Sequence, residues 1–237
     1  MSTIALPKPI VHYPDCDGEP MSDNTLQFRW IATLHGNLEA QFRDNPNVFV
    51  AGDHLIYAVE GDNTIRQAPD IYVAFGPTKG DRGSYKVWEE GGTFPQVIFE
   101  VWSPGNRYEK MEKKKDFYEE HGAEEYYIIY PSDPAGVAGW LRQDERLVPV
   151  PEMNAFVSPL LGVRFEVDEE DVAVYGPGGR RFLSPAEIEQ ERELAERQLE
   201  SEKRRAESEK RRAESEKLRS EKLAAKLREL GVDPESV

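Results

Sequence analysis

Residues 68–76 read APDIYVAFG, and residues 97–106 read VIFEVWSPGN. Each stretch contains an apolar run bounded by turn-forming residues, which predicts a buried strand. Each run also holds a carboxylate, because Asp70 opens the first and Glu100 lies inside the second. A carboxylate within an apolar strand is costly unless another group pairs with it. Asp70 and Glu100 are therefore the first candidates for a functional site.

The sequence around these stretches predicts an α+β domain. A helix capped by Ser22 or Asp23 comes first, and an apolar residue recurs at every fourth position along it: Leu26, Trp30, Leu34, Leu38 and Phe42. A second, highly charged helix is predicted at about 107–120, with Gly122 as its C-cap. Strands are predicted at 48–50, 55–59, 71–75, 97–102 and 126–130, and shorter β segments at 139–141, 146–150, 163–167 and 172–175. The order helix, strands, helix, strand predicts one sheet with later β additions.

The composition changes sharply near Pro185. No Gly or Pro follows until Gly231, and Glu, Lys, Arg and Ala dominate, as is typical of a long helix. We therefore expect a globular domain at 1–184, a charged helix at 185–230 and a short tail at 231–237.

The predicted long helix carries a seven-residue repeat. ESEKRRA occurs at 200–206 and again at 207–213. One possible coiled-coil seam contains Leu and Ala, but the companion seam contains Glu202, Glu209 and Glu216. Pairs of Glu and Arg four residues apart support an isolated helix instead. A solvated single helix and a weak self-association device both fit this pattern.

The formal net charge of −15 is unevenly distributed, with −13 on residues 1–186. Such a domain repels a phosphate backbone, so nucleic-acid chemistry needs metal ions, a local basic patch or a partner. The single Cys16 excludes an internal disulfide and fits a reducing cytoplasm. No run is apolar enough to span a bilayer, and the N-terminus lacks a signal pattern, so we expect neither membrane insertion nor secretion.

The sequence lacks the residue patterns that several kinds of chemistry require. The four histidines show no metal-ligand spacing, and there is no phosphate-binding loop, Rossmann fingerprint or nucleophile elbow. Carboxylates remain, and hard oxygen ligands on adjacent strands suit Mg²⁺ or Mn²⁺. The alternative is that Glu100 forms a structural ion pair with a basic residue of the segment 107–115.

One family combines the same motifs. The stretches APDIYVAFG (68–76) and VIFEVWSPGN (97–106), then a Lys-rich helix, then GAEEYYIIYP (122–131), resemble the bacterial Uma-type restriction endonuclease family of the PD-(D/E)XK nuclease superfamily. The resemblance runs from about Ser22 through Phe182. It implies a restriction-endonuclease-like core of helix, strand meander, helix and strand.

The resemblance also implies roles for individual residues. Asp70 and Glu100 would bind a divalent metal, with the backbone carbonyl of Val101 as an extra ligand. The superfamily places Lys two positions after the acidic residue, where this chain has Trp102. In the Uma-type pattern the Lys comes from the next helix, four residues before an aromatic residue, and Lys114 precedes Tyr118 by that spacing.

Two further residues are candidates by the same comparison. Lys110 lies one turn before Lys114 on the same face of the helix and is the second candidate for the catalytic lysine. Superfamily nucleases often have a Glu on the first helix that contributes to the active site. Glu39 is the candidate for that residue in this chain.

Together with the residues, the resemblance implies a cytoplasmic, Mg²⁺- or Mn²⁺-dependent endonuclease that hydrolyses DNA. The metal activates water and neutralises developing charge, and Lys114 orients that water. The alternative is a catalytically inactive nuclease-like scaffold that acts through its C-terminal helix. Association into a homo-oligomer, through the core or that helix, is a further possibility.

Overall fold

The computed structural model describes residues 11–15, 24–132, 134–168 and 171–229. The chain divides into two compact units, Met1–Pro185 and Ala186–Val237. No helix among the described residues is long and apolar enough to cross a membrane.

The helices and strands of the described residues are α1 Thr25–Gln41, β1 Val48–Gly52, β2 Ile56–Tyr57, β3 Arg66–Gln67, β4 Ile71–Phe75, β5 Tyr85–Lys86, β6 Val97–Val101, α2 Tyr108–His121, β7 Glu125–Tyr130, β8 Gly136–Gln143, β9 Arg146–Pro149, β10 Arg164–Val167, β11 Val172–Tyr175 and α3 Pro185–Glu229. The first unit is built on a mixed six-stranded sheet in the order β1-β4-β6-β7-β8-β9. Within this sheet β6 and β7 pair in parallel and α2 connects them, while the other neighbouring strands are antiparallel. The predicted α+β class is confirmed.

The two faces of the sheet carry separate apolar cores because side chains alternate along each strand. On β6, Val97, Phe99 and Val101 belong to a core that includes Leu34 and Leu38 of α1. Ile98 on the same strand belongs to the other core, with Met111 and Tyr118 of α2. The face that packs against α2 is therefore also the face toward which Glu100 points.

The short strands β2, β3 and β5 form a second sheet in the order β3-β2-β5. No strand is predicted from the sequence where β5 lies. Tyr85 of β5 is fully buried, and the nearby Phe94 is also buried, so both side chains contribute to packing. The last two strands of the unit, β10 and β11, form an antiparallel pair.

The helix ends follow local chemistry. The side chain of Asn24 caps α1 by accepting a hydrogen bond from the N–H of Gln27 at 2.8 Å. The predicted cap at Ser22 or Asp23 is therefore wrong, and both residues lie outside the described part of the chain. The C-cap of α2 is Gly122, whose φ of 102° favours glycine, as the sequence predicts.

The long helix α3 contains 45 residues, which corresponds to about 68 Å. Four Arg–Glu pairs at i,i+4 spacing lie on its surface: Arg192–Glu196, Arg197–Glu193, Arg204–Glu200 and Arg211–Glu207. Self-association of α3 stays a prediction.

Candidate active site

Strands β4 and β6 bring Asp70 and Glu100 to the same place. The two strands are antiparallel, and Ile71 lies opposite Phe99. One position further along this register, Asp70 falls opposite Glu100. Side chains alternate between the two faces of a sheet, and Tyr72 and Ile98 are in the core on the α2 side. Asp70 and Glu100, two positions from these residues, therefore also face α2. The two candidate carboxylates therefore lie on adjacent strands and on one face of the sheet.

Lys114 of α2 binds Glu100 directly. Its Nζ lies 2.9 Å from Oε1 and 2.8 Å from Oε2 of Glu100, and it also donates to the carbonyl oxygen of Ala68 at 3.0 Å. The hydroxyl of Tyr118, one turn later, donates to Glu100 Oε1 at 2.7 Å. The spacing of Lys114 and Tyr118 places both donors on the face of α2 that covers the sheet. The ion pair left open as an alternative for Glu100 is therefore present.

Lys114 remains a cation in this environment. Burial alone lowers its pKa, but the charges of Glu100 and then Asp70, together with the hydrogen bond to Glu100, outweigh burial and raise the pKa. The pKa of Tyr118 is raised well above its ordinary value, by burial first and then by the charge of Glu100. Both side chains are thus hydrogen-bond donors at neutral pH, and neither is suited to act as a general base.

Asp70 is oriented by the main chain of β6. The N–H of Val101 donates to Asp70 Oδ2 at 2.6 Å. A charge-assisted hydrogen bond of this kind fixes the direction of a carboxylate. The backbone of Val101 therefore belongs to the site through its N–H, whereas the role of its carbonyl as a metal ligand stays a prediction.

A third acidic residue, Asp53, lies beside this site and was not predicted from the sequence. Gly52 pairs with Ile71, and the N–H of Asp53 donates to the carbonyl oxygen of Asp70 at 3.1 Å. A Cβ at Gly52 would lie 2.6 Å from that same oxygen, so the close approach of β1 to β4 requires glycine. The charge of Asp53 contributes to raising the pKa of Lys114.

Solvent exposure increases across the site. The Glu100 side chain is 2% exposed and that of Lys114 is 12% exposed. Asp70 is half-buried, and Asp53 is exposed. The site is thus anchored in the core at Glu100 and opens to solvent toward Asp53.

The other candidates lie elsewhere. Glu39 is on α1, which packs against the opposite face of the sheet, and its carboxylate pairs with Lys79 at 2.8 Å. Lys110 is exposed one turn before Lys114, while Lys114 is the lysine that contacts Glu100. Trp102, at the usual position of the superfamily lysine, packs against Tyr108 and Tyr130 in tilted contacts, with ring centroids 5.1 and 5.5 Å away.

The donor atoms of the site suit a hard divalent cation. No three His, Cys, Asp or Glu side chains within the described ranges are grouped closely enough to hold a metal ion. Mg²⁺ does not require such a cage, because it is commonly bound by one or two carboxylates, with water and substrate phosphates completing its shell. Asp70 and Glu100, on one face of adjacent strands, supply that number of carboxylates. The residues therefore fit Mg²⁺ or Mn²⁺ in the type of donor.

Comparisons with known proteins give a family. A model of the Uma2 family, described as "Putative restriction endonuclease", matches residues 4–202, which is most of the chain. The crystal structure of a "putative nuclease belonging to DUF820" from Anabaena variabilis is similar at 15% sequence identity and a TM-score of 0.44, covering 60% of this chain and 78% of that one. No curated protein matches the chain.

Proposed function

The chain belongs to the Uma2 family of restriction-endonuclease-like proteins, and from this premise we propose that it is a metal-dependent endonuclease that hydrolyses DNA phosphodiester bonds. The observation that carries the proposal is the convergence of Asp70, Glu100 and Lys114. These residues come from three separate elements, and Lys114 contacts Glu100 while the charge of Asp70 acts on it. A lysine whose pKa is raised by two carboxylates, at a partly open place in the structure, is a candidate for a functional site.

Each residue has a distinct role in the proposed reaction. Asp70 and Glu100 would hold Mg²⁺ or Mn²⁺, which when bound supplies an activated water and neutralises charge on the phosphate. Lys114 keeps its proton, and its three N–H donors reach both oxygens of Glu100 and the carbonyl oxygen of Ala68. One of these donors, released from its present acceptor, would donate to the attacking water or to the phosphate oxygens that gain charge in the transition state. Tyr118 positions Glu100 through its hydroxyl.

Asp53 extends this arrangement toward solvent. Its backbone N–H is hydrogen-bonded to the backbone of Asp70, and its φ of 47° holds it in the left-handed region. Residues in that region cost energy and cluster at functional sites. We assign Asp53 a positioning role, in which it supports Asp70 and adds negative charge beside Lys114.

The cysteine content and the charge of the chain bear on where and how it would act. A cytoplasmic location agrees with the single Cys16. The −13 charge on residues 1–186 means that bound cations must offset repulsion between the globular unit and DNA. The role of the metal is therefore electrostatic as well as chemical.

One observation favours a second function. Both oxygens of Glu100 are hydrogen-bonded to Lys114, which is the arrangement of a structural ion pair. A nuclease-like scaffold that has lost catalysis and acts through α3 would keep such a pair. The two functions differ in whether the site binds a divalent cation.

Calorimetric titration with Mn²⁺ and plasmid nicking test the proposal together. Wild type is expected to bind Mn²⁺ and to nick supercoiled plasmid, and Asp70→Asn to lose both activities. Asp53→Asn is expected to lose about 10- to 100-fold in either, the range found for groups that support metal ligands. Asn tolerates the left-handed backbone, so this variant should fold.

Glu39→Gln is the matched control, because it removes a carboxylate from the opposite face of the same sheet. It should bind Mn²⁺ and nick plasmid like wild type. If wild type neither binds Mn²⁺ nor cuts DNA or RNA with any divalent metal, the scaffold function is correct.

A further inference from the structure

The repeats of α3 contain two kinds of arginine. In each ESEKRRA repeat the first arginine pairs with the glutamate four residues before it, as Arg204 does with Glu200 at 3.0 Å and Arg211 with Glu207 at 2.7 Å. The second arginine of each repeat, Arg205 or Arg212, forms no ion pair with any described residue. Half of the repeat arginines are thus neutralised within the helix, and half keep their charge available.

The second arginines lie on one exposed stripe. Positions three and four residues apart share a face of a helix, and one such series is Ser201, Arg205, Ser208, Arg212, Ser215, Arg219, Lys222 and Lys226. We call this series the basic stripe. It contains five basic residues, three serines and no acidic residue. All of its residues are exposed.

The stripe is continuous along the helix surface. Ser208, Arg212 and Ser215 line one shallow groove, whose other side is formed by Arg204 and by the ion-paired Glu207 and Arg211. Ser215 also lines the next groove, together with Arg219, Lys222 and Lys226. Arg205, Arg212 and Arg219 are each seven residues apart, which corresponds to about 10.5 Å, and the whole stripe is about 38 Å long. Its length is therefore close to one turn of B-DNA, about 34–36 Å.

We propose that the basic stripe is a sequence-independent contact surface for the phosphate backbone of double-stranded DNA. The inference rests on the proposed function, in which DNA is the substrate. Arginine and serine side chains are common donors to phosphate oxygens, and such contacts position a protein without reading sequence. The stripe supplies a basic surface on a chain whose residues 1–186 carry a net charge of −13.

The composition of the stripe argues against other partners. A second copy of α3 would place one basic stripe against another, and such like charges repel. Protein partners are usually anchored by buried aromatic or large apolar side chains, and the stripe contains none. A phosphate polymer, whose charges repeat at regular intervals, fits evenly spaced arginines.

Fluorescence anisotropy with a labelled 30-base-pair duplex in EDTA tests the stripe without involving cleavage. The stripe variant carries Arg205→Gln, Arg212→Gln and Arg219→Gln. The control carries Arg197→Gln, Arg204→Gln and Arg211→Gln, which removes three ion-paired arginines with the same spacing. Both full-length variants lose three charges from one helix, and glutamine preserves helix propensity.

The stripe variant is expected to bind DNA on the order of tenfold more weakly than wild type, with the slope of log K against log salt reduced by about 3. The control should stay close to wild type. Replacing Arg205, Arg212 and Arg219 with lysine should restore most of the affinity, because lysine keeps the phosphate-pairing charge.

Several results would overturn the proposal. The first is that wild type does not bind DNA, and the second is that the two glutamine variants lose equal affinity. The third is that the stripe variant alone has a lower mass in sedimentation, which would mean that the stripe is a self-association surface. A parallel nicking assay separates the two proposals. If wild type cuts plasmid but the stripe variant binds as tightly as the control, only the stripe proposal fails. If wild type binds through the stripe and never cuts, only the nuclease proposal fails.

Discussion

Two buried glutamates on neighbouring strands have different surroundings. Glu100 on β6 and Glu125 on β7 are 2% and 1% exposed, and the two strands pair in parallel. Glu100 faces α2, whereas Tyr127, two residues after Glu125, belongs to the core on the α1 side. The same sheet thus buries one carboxylate on each face.

Their partners distinguish the two glutamates. Glu125 accepts hydrogen bonds from the hydroxyls of Tyr127 and Ser158 and from the N–H of Leu160 at 2.7 Å. These donors are neutral, and they fasten the 158–160 turn to the sheet. Glu100 instead binds the cation Lys114 and lies beside a second carboxylate at a partly open edge. Burial is therefore common to both carboxylates, and Glu100 differs from Glu125 in having a cation and a second acid beside it.

The largest expected effect is on cleavage. Glu100→Gln should reduce Mn²⁺-dependent nicking by about 10³-fold or more, since it removes a group that acts on the reacting centre. Glu125→Gln should keep nicking near wild type per folded molecule while lowering the free energy of unfolding by about 2 kcal/mol, because its amide group would face hydrogen-bond donors. Plasmid nicking and urea unfolding of both variants measure this. Equal loss of cleavage in the two variants would contradict the distinction.

The next effect concerns the pairing of Glu100. Lys114→Met should lower the free energy of unfolding by about 3–5 kcal/mol, because it leaves a buried carboxylate without its cation. Adding Glu100→Gln should recover much of that loss, with a coupling of about 1–3 kcal/mol between the two sites. Urea unfolding at pH 7 provides the measurement.

Lys110→Met is the matched control, since Lys110 is exposed one turn earlier on α2. It should be nearly neutral. A Lys114→Met variant as stable as the control would mean that the Glu100–Lys114 contact contributes nothing to the fold.

Much of this arrangement could be predicted from the sequence because its signals are local. The apolar run at 71–75 is strand β4 with the predicted bounds, and Gly122 ends α2 as predicted. Lys114 and Tyr118 are four residues apart, so one helix face presents both to the sheet. The shared position of Asp70 and Glu100 was suggested by the family resemblance and not by periodicity.

The remaining features depend on strand register, which the sequence does not encode locally. Asp53 comes beside Asp70 only because β1 pairs with β4 so that Gly52 lies opposite Ile71. The one local sign of Asp53 in the sequence was the pair Gly52-Asp53, which follows the predicted strand at 48–50. Glu125 was hidden for a similar reason, since its partner Ser158 is 33 residues away in sequence. Strand β2 lies within the strand predicted at 55–59, whereas the two-residue strands β3 and β5 are too short to give a periodic pattern.

The smallest expected effect is a pH dependence at Glu125. Burial raises the pKa of Glu125 above its ordinary value, although hydrogen bonds from Ser158, Leu160 and Tyr127 partly oppose this. At a pH between the pKa of Glu125 in the unfolded chain and its higher pKa in the folded protein, Glu125 holds a proton in the folded protein that it has released in the unfolded chain. Stability from this group is therefore fully present below the unfolded pKa, about 4.5, and is lost as pH rises through the folded pKa.

Wild type should consequently gain stability relative to Glu125→Gln as pH is lowered from 7 toward 5, by at most about 1.4 kcal/mol per pH unit for one proton. The effect is read as the difference in unfolding free energy between the two proteins at each pH, because other carboxylates titrate in both and cancel. Glu60→Gln, an exposed substitution, controls for the removal of one charge. A difference that stays constant or shrinks toward pH 5 would mean that the neutral donors around Glu125 stabilise its ionised form enough to offset burial, and the contrast with Glu100 would then lie in the cation alone.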